Sequence, residues 1–294
     1  MPSDRPLVLA FDTSTSTASV AVGRGAEALA EVHAAVPRAY EEGLVPRIGE
    51  ALSRAGVGIR DVEVVACGRG PGSFTGLRIA MATAKGYAFA LGRPLVAVSS
   101  TGATALGARA PSVVVALDAK RGQLFLEAFT IDRTDASCPL RAVASATLDA
   151  AATAGWIAGL GLPGPVALVG EAAGPASKSC DTVSDVITDE SVVFPQGRDL
   201  LLLAAVEVTR GAFANPDSVE PEYLRAPPFN RPRGEPRALR PRPAIATCTR
   251  RRRRSRGRGS WPVHRRGDQA TRPDYDDDRG NTVGQNRTRG RGGG

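Results

Sequence analysis

The chain has 294 residues and a formal net charge of +8, but the charge is unevenly spread: up to Arg225 there are 19 Lys and Arg against 24 Asp and Glu, and beyond it 19 against 6. The basic balance belongs to the C-terminal end, so the larger, slightly acidic part is not a basic nucleic-acid surface. The four cysteines form no CxxC pair and His33 is the only histidine before Arg225, which leaves no His-based metal site in that part.

In chain order, Leu7 to Phe11 reads as a short apolar strand, Asp12 to Thr17 as a hydroxyl-rich turn, Ala18 to Val22 as a returning strand and Ala28 to Ala35 as a third strand. Leu44 to Ala55 has apolar residues at helical spacing, Val62 to Cys67 is a buried strand, Leu77 to Leu91 a long helix and Pro94 to Ser99 a further strand. From Thr101 a second, smaller lobe is expected, with strands at Val113–Leu117, Gln123–Ile131 and Val166–Val169 and a short helix from Leu148 to Ile157. An apolar helix, Leu200 to Thr209, and a closing turn, Pro216 to Leu224, complete it. The expected division is a first lobe over 1–102, a second over 103–226 whose last helix returns to the first, and a tail over 227–294.

The tail has a run of five arginines, Arg250 to Arg254, no lysine, much Gly and Pro and few large apolar residues. Such a composition buries too little apolar surface to offset the entropy of ordering, so disorder is expected. It reads as an arginine-rich RNA-binding arm or as the product of a frame-shifted GC-rich reading frame. No charged-then-apolar leader and no membrane-length apolar run are seen, and a cytoplasmic protein without membrane contact is expected.

The most informative stretch is Gly70-Pro71-Gly72-Ser73-Phe74-Thr75-Gly76-Leu77-Arg78, between an apolar strand and the long helix. Glycines and a proline at such a junction fix a tight turn, and Ser73 or Thr75 can cap the helix. Free backbone N–H groups at a helix start, with Arg69 and Arg78 nearby, also suit an anion. The stretch is not a Walker loop, lacking a Lys-Ser/Thr pair, and Pro71 interrupts a dinucleotide fingerprint. Chemistry alone leaves a structural turn and an anion site as alternatives.

This string, continued as Ile79-Ala80, resembles the signature of the TsaB (YeaZ) family. Three weaker segments agree with it: Leu9 to Val22, Ala116 to Phe125, and Asp199-Leu200-Leu201 through Pro221-Glu222-Tyr223-Leu224-Arg225. The resemblance implies an α/β fold of the two-lobed actin-like ATPase (ASKHA, ribonuclease H-like) type with a reduced second lobe. It also implies a non-catalytic subunit that supports TsaD in threonylcarbamoyl transfer to N6 of adenosine 37 of tRNA. The partners implied are TsaD in a heterodimer, the ATPase TsaE, and tRNA through the complex, with a homodimer left open. No cofactor is expected for this subunit, and ATP is used by the wider machinery.

In actin-like ATPases the turn after the first strand wraps phosphates, so resemblance marks Asp12, Thr13 and Ser14, and in the second lobe Asp118, as vestigial nucleotide-site candidates. The residues themselves also read as an Asx-capped turn, with β-branched Thr13 hindering close approach of phosphate, and as a local Asp118–Lys120 ion pair. TsaD carries paired metal-binding histidines where this chain has Ser99-Ser100-Thr101-Gly102-Ala103-Thr104-Ala105, which offers none. The signature-turn residues are Gly70, Gly72, Ser73, Thr75, Gly76 and Arg78. For partner docking, Ala82, Gly86 and Ala90 form a small-residue stripe on the long helix, and Leu44, Ile48 and Leu52 an apolar ridge on its neighbour, although either stripe reads also as internal core. Members of the family often carry a His-Ser-Glu-like stretch where this chain has Ala39-Tyr40-Glu41-Glu42. The competing readings are a weak kinase- or peptidase-like enzyme of the same superfamily and an RNA binder using the tail.

Overall fold

The computed structural model describes residues 5–35, 43–180 and 185–223. The Ala39–Glu42 departure, Leu224 and Arg225 of the closing turn, and the basic tail lie outside the described residues.

Two five-stranded sheets carry the fold. The first contains β1 (Leu7–Asp12), β2 (Thr17–Arg24), β3 (Glu27–Ala35), β4 (Val64–Gly68) and β5 (Leu95–Val98), in the order β3-β2-β1-β4-β5. The second contains β6 (Ser112–Asp118), β7 (Gln123–Ile131), β8 (Leu140–Asp149), β9 (Val166–Val169) and β10 (Val186–Thr188), in the order β8-β7-β6-β9-β10. Each sheet begins with three antiparallel strands and then adds two parallel ones on the other side of its first strand. The same topology thus occurs twice, which is the duplicated actin-like lobe. The antiparallel turns are short, whereas each parallel step needs a crossover, and helices supply it.

The crossovers run through α1 (Leu44–Arg54), α2 (Phe74–Leu91), α4 (Thr153–Gly159) and α5 (Ala173–Ser177), while α3 (Ser100–Gly107) joins the two sheets and α6 (Gly197–Arg210) follows the last strand. Strand alternation sorts the apolar residues into layers. Leu7, Leu9, Phe11, Val65 and Cys67 face α1 and α2, while Val8, Ala10, Val64 and Ala66 face Ala103 of α3 and Leu200, Leu201 and Ala204 of α6. On the second sheet Val113, Val115, Phe125 and Phe129 meet Ala105 and Leu106 of α3, and Val114, Ala116 and Leu126 meet α4 and α5. The strands that are buried on both faces are accordingly almost continuous apolar runs.

Helix α3 lies between the sheets and holds a buried carboxylate from each. Ser100 Oγ donates to Asp12 Oδ2 at 2.5 Å, and Thr101 Oγ1 donates to Glu127 Oε2 at 2.7 Å. Both acids are buried, and buried carboxylates need such charge-assisted hydrogen bonds. The helix start, where N–H dipoles converge, suits the two negative groups.

Several expectations need correction. α2 begins at Phe74 rather than Leu77, because Ser73 caps it by accepting from Gly76 N. Leu148–Ile157 is not one helix: β8 runs through Asp149, a 3-10 turn covers Ala150–Ala152, and α4 follows. β8 escaped notice because its half-buried face is mostly alanine (Ala142, Ala144, Ala146), which gives little contrast between the faces. α3 was missed because its Ser, Thr and Gly content lowers helix propensity; Ser99 Oγ accepts from Gly102 N, and packing on both sides supplies the stability.

Thr101→Val is expected to lower the free energy of unfolding by about 2 kcal/mol, because it strips a donor from a buried acid. Urea denaturation checks this; a loss below about 0.5 kcal/mol contradicts a structural role for the bond.

Candidate functional site: a sealed turn and an exposed helix face

Parallel α/β sheets present their ligand sites at the carboxyl ends of the strands. In the first sheet that edge holds Asp12 at the end of β1, Gly68 at the end of β4, and Ser100 just after β5. Phe11 pairs with Cys67, so Asp12 and Gly68 follow side by side, and a Cβ at Gly68 would overlap Asp12 Oδ2. Asp12 is fully buried. Its Oδ1 accepts from Ser14 N at 2.6 Å, the Asx-capped turn, and Oδ2 is taken by Ser100. Burial pushes the Asp12 pKa up, against the lowering effect of its bonds to Ser100 and Ser14. The neighbouring Cys67 thiol is pushed up to about 12, chiefly by burial and then by the charge of Asp12, so it is a buried, unreactive thiol.

The glycine-rich turn sits directly on this turn. Ser73 N donates to the Ser14 carbonyl at 2.6 Å, and Thr13 Oγ1 donates to the Gly76 carbonyl at 2.6 Å. A Cβ at Gly76 would overlap the Thr13 carbonyl oxygen, and one at Gly72 would come within 2.5 Å of the Ser14 carbonyl. Gly70, at φ +108°, donates to Ser100 Oγ and accepts from Ser100 N. Its Cβ would meet the carbonyl of Glu222 at 2.5 Å, because residues 221–223 lie across the turn. Glu222 N donates to the Arg69 carbonyl, and Arg78 stacks on Phe74, with its Nε donating to Tyr223 Oη at 3.1 Å. Ser73, Thr75 and Arg78 are exposed at this edge, whereas Gly70 and Gly76 are buried. Thr13 and Ser14 are buried as well. The spacing of the glycines therefore serves close packing of one turn on another.

Asp118 has a different fate. It is half-exposed, and its two oxygens accept from Lys120 N and Lys120 Nζ, each at 2.7 Å. Those bonds hold its pKa low. Lys120 and Arg121 both have positive φ, which closes the tight β6–β7 turn. Glu171 packs nearby, and burial raises its pKa, with Lys120 opposing the shift.

The docking residues separate into two groups. Leu44, Ile48 and Leu52 are buried in the core beneath α1, so the expected external ridge is corrected: its spacing is that of an inward stripe. Ala82, Gly86 and Ala90 are exposed, with nothing within 4 Å of a Cβ at Gly86. Beside them stands Phe89, 90% exposed, an aromatic ring left in water. Sequence reasoning passed over Phe89, although it lies seven residues from Ala82 and so on the same helical stripe. Val45 of α1 is also exposed. No group of three His, Cys, Asp or Glu residues suited to a metal occurs among the described residues. None of their helices is long and apolar enough to cross a membrane.

Against known structures, the chain overlays YeaZ from Pseudomonas aeruginosa with a TM-score of 0.63 and 30% identity, covering 74% of this chain and all of the other. The chain belongs to the YeaZ (TsaB) family. A second Pseudomonas aeruginosa structure, described as similar to peptidase YeaZ, gives a TM-score of 0.64 at 30% identity, covering 75% of this chain and 100% of that one. The family model for TsaD, tRNA N6-adenosine threonylcarbamoyltransferase, matches residues 32–165. Among curated proteins, the tRNA threonylcarbamoyladenosine biosynthesis protein TsaB of Haemophilus influenzae is 36% identical over 40% of this chain and 51% of its own length. That of Escherichia coli is 34% identical over 40% and 52%. The chain spans about half the length of these curated relatives.

Two predictions concern the site. Gly86→Ala is expected to stabilise the protein by about 1 kcal/mol, the helix-propensity gain at an open position, whereas Gly76→Ala abolishes or cripples folding. Parallel thermal melts compare them; a Gly76→Ala melt like that of the unmodified protein contradicts the packed-turn account.

The second concerns Asp199 in the first turn of α6, 8% exposed, whose Oδ2 has no hydrogen-bond partner. Burial raises its pKa from 3.8 to about 6, with Arg198 and Arg133 opposing and Glu31 adding to the rise. Below pH 4 the group is protonated, folded or unfolded, and costs nothing. Between pH 4 and 6 only the folded state keeps the proton, so its contribution to stability falls as pH rises, and above 6 the full cost of about 3 kcal/mol is present. Asp199→Asn should therefore stabilise the protein at pH 8 and flatten this slope; urea titrations at pH 5 and pH 8 that show the same increment contradict it.

Proposed function

We propose that this chain is a non-catalytic subunit that supports TsaD in transferring a threonylcarbamoyl group to N6 of adenosine 37 of tRNA. The observation that carries this reading is the closed edge of the first sheet. A phosphate turn needs open backbone and an aspartate free to orient a metal-bound water, whereas here Asp12 is fully buried on Ser14 and Ser100 beneath residues 70–76. TsaB-named relatives at 34–36% identity supply the pathway. Among the described residues no acid, base or metal site suited to acyl transfer to an adenine amine is evident, and in this reading the chemistry falls to the partner.

TsaD is held, in this reading, by the exposed stripe of α2. Small residues at Ala82, Gly86 and Ala90 let a partner helix approach closely, and Phe89 provides an aromatic anchor of the kind that dominates interface energies. The same apolar face can pair two copies of this chain when TsaD is absent. TsaE then docks on the assembled pair, tRNA is reached through it, and ATP is consumed by the wider machinery.

The test is reconstitution. The chain alone leaves tRNA unmodified, and adding TsaD, TsaE, ATP and the remaining substrates gives threonylcarbamoyladenosine. Phe89→Glu, and separately Ala82→Glu with Gly86→Glu, abolish co-purification with TsaD and modification while circular dichroism stays unchanged. Modification by the chain alone, or full TsaD binding by both variants, contradicts the proposal.

A further inference from the structure

On the far side of α3 from Asp12, where the helix ends, lies a cavity of about 450 Å³. It is lined by Gly107 at the end of α3 and Arg109 just beyond it, by Asp189, Ser191 and Val192 after β10, and by Gln196 and Arg198 at the start of α6. Its volume is within the range of about 300–1,000 Å³ typical of small-molecule sites. The sealed turn and the exposed α2 stripe share none of these residues.

The charge pattern defines what would fit. Arg109 and Arg198 are exposed, and neither guanidinium forms an ion pair among the described residues. The N-terminal end of α6 is already occupied, since Glu31 Oε1 accepts from Arg198 N at 3.0 Å. An anion here would be held by the two guanidinium forks, which match a carboxylate well. Yet the surroundings are not simply basic. Asp189 is on the rim, with Oδ1 accepting from Ser191 N at 3.1 Å and Ser191 Oγ at 2.5 Å. Behind Gly107 lies the unpartnered carboxyl of Asp199, its Oδ2 3.7 Å from where a Gly107 Cβ would be. The two cations are thus balanced by acids, so a bare anion and a bare cation would each meet a repelling group as well as an attracting one. Gly107 keeps the floor open: a side chain there would press on Val192 at 3.0 Å.

We propose that this cavity binds a small zwitterion of amino-acid to dipeptide size, its carboxylate between Arg109 and Arg198 and its ammonium toward Asp189 and the Gln196 amide. The walls come from α3, the loop after β10 and α6, which pack on both sheets, so an occupant ties together the segment joining the two halves of the fold.

Amide NMR shifts of Gly107, Ser191 and Gln196 in the full chain read the binding directly. The probes are glycylglycine and the common L-amino acids, with N-acetylglycine, glycinamide and inorganic phosphate as controls. Glycylglycine or at least one amino acid is expected to give saturable shifts, with singly charged analogues about tenfold weaker or worse. Arg109→Ala with Arg198→Ala, two exposed positions, removes the shifts while the spectrum stays folded. Three results overturn the proposal: no zwitterion saturating below about 10 mM, binding unaffected by the paired substitution, or phosphate and N-acetylglycine binding as well as the zwitterions, which marks an ordinary basic patch.

Discussion

The hydrogen bond from Ser100 Oγ to the buried carboxylate of Asp12 is the contact on which the rest of the structure turns. An acid removed from water at the edge of a sheet must be satisfied locally, and here one oxygen takes the Ser14 N–H and the other the first hydroxyl of α3. Because Asp12 lies against Gly68, and Ser100 also holds Gly70 through its Oγ and N–H, the strand end, the helix start and the glycine turn become one packed unit. The glycines of the signature follow from this, since Gly72 and Gly76 stand where any Cβ would strike the carbonyls of Ser14 and Thr13.

The same unit also closes the carboxyl edge of the first sheet. Residues 221–223 lie on the turn, with Glu222 bonded to Arg69 and Tyr223 to Arg78, so this edge of the first sheet is covered by the chain's own backbone. α3 then links the halves through Thr101 and Glu127. Meanwhile α2 is fixed at its start by Ser73 and along one side by Ala80, Met81, Ala84 and Ala88, which leaves its opposite side facing water with Phe89. For the proposed docking of a partner, a helix held in this way with an uncovered aromatic ring loses little conformational entropy on binding.

Much of this could be read from residues. The strands of the first sheet were legible as short apolar runs, α1 and α2 because their apolar residues keep helical spacing, and the glycine turn because glycines and a proline cluster between a strand and a helix. The family resemblance supplied the duplicated topology, which periodicity alone would have left as α/β. Other features were hidden for physical reasons. Alanine on the half-buried face of β8 leaves little contrast between its two faces, and α3, buried on all sides, shows no amphipathic stripe. Leu44, Ile48 and Leu52 show that an apolar ridge on a helix does not say which way it faces; only packing shows that they point inward. Asp199 sits within an apolar helical stretch and reads as an ordinary first-turn acid, so neither its isolation nor the nearby cavity leaves a trace in the sequence.

With Asp12 buried beneath residues 70–76, the first-sheet turn is expected to be closed to nucleotide. Isothermal titration of MgATP into the full chain tests it most directly. No saturable heat is expected, and the same flat trace with Asp12→Asn if that variant folds. Saturable binding that disappears with Asp12→Asn would show that the turn opens to phosphate, and would contradict the account.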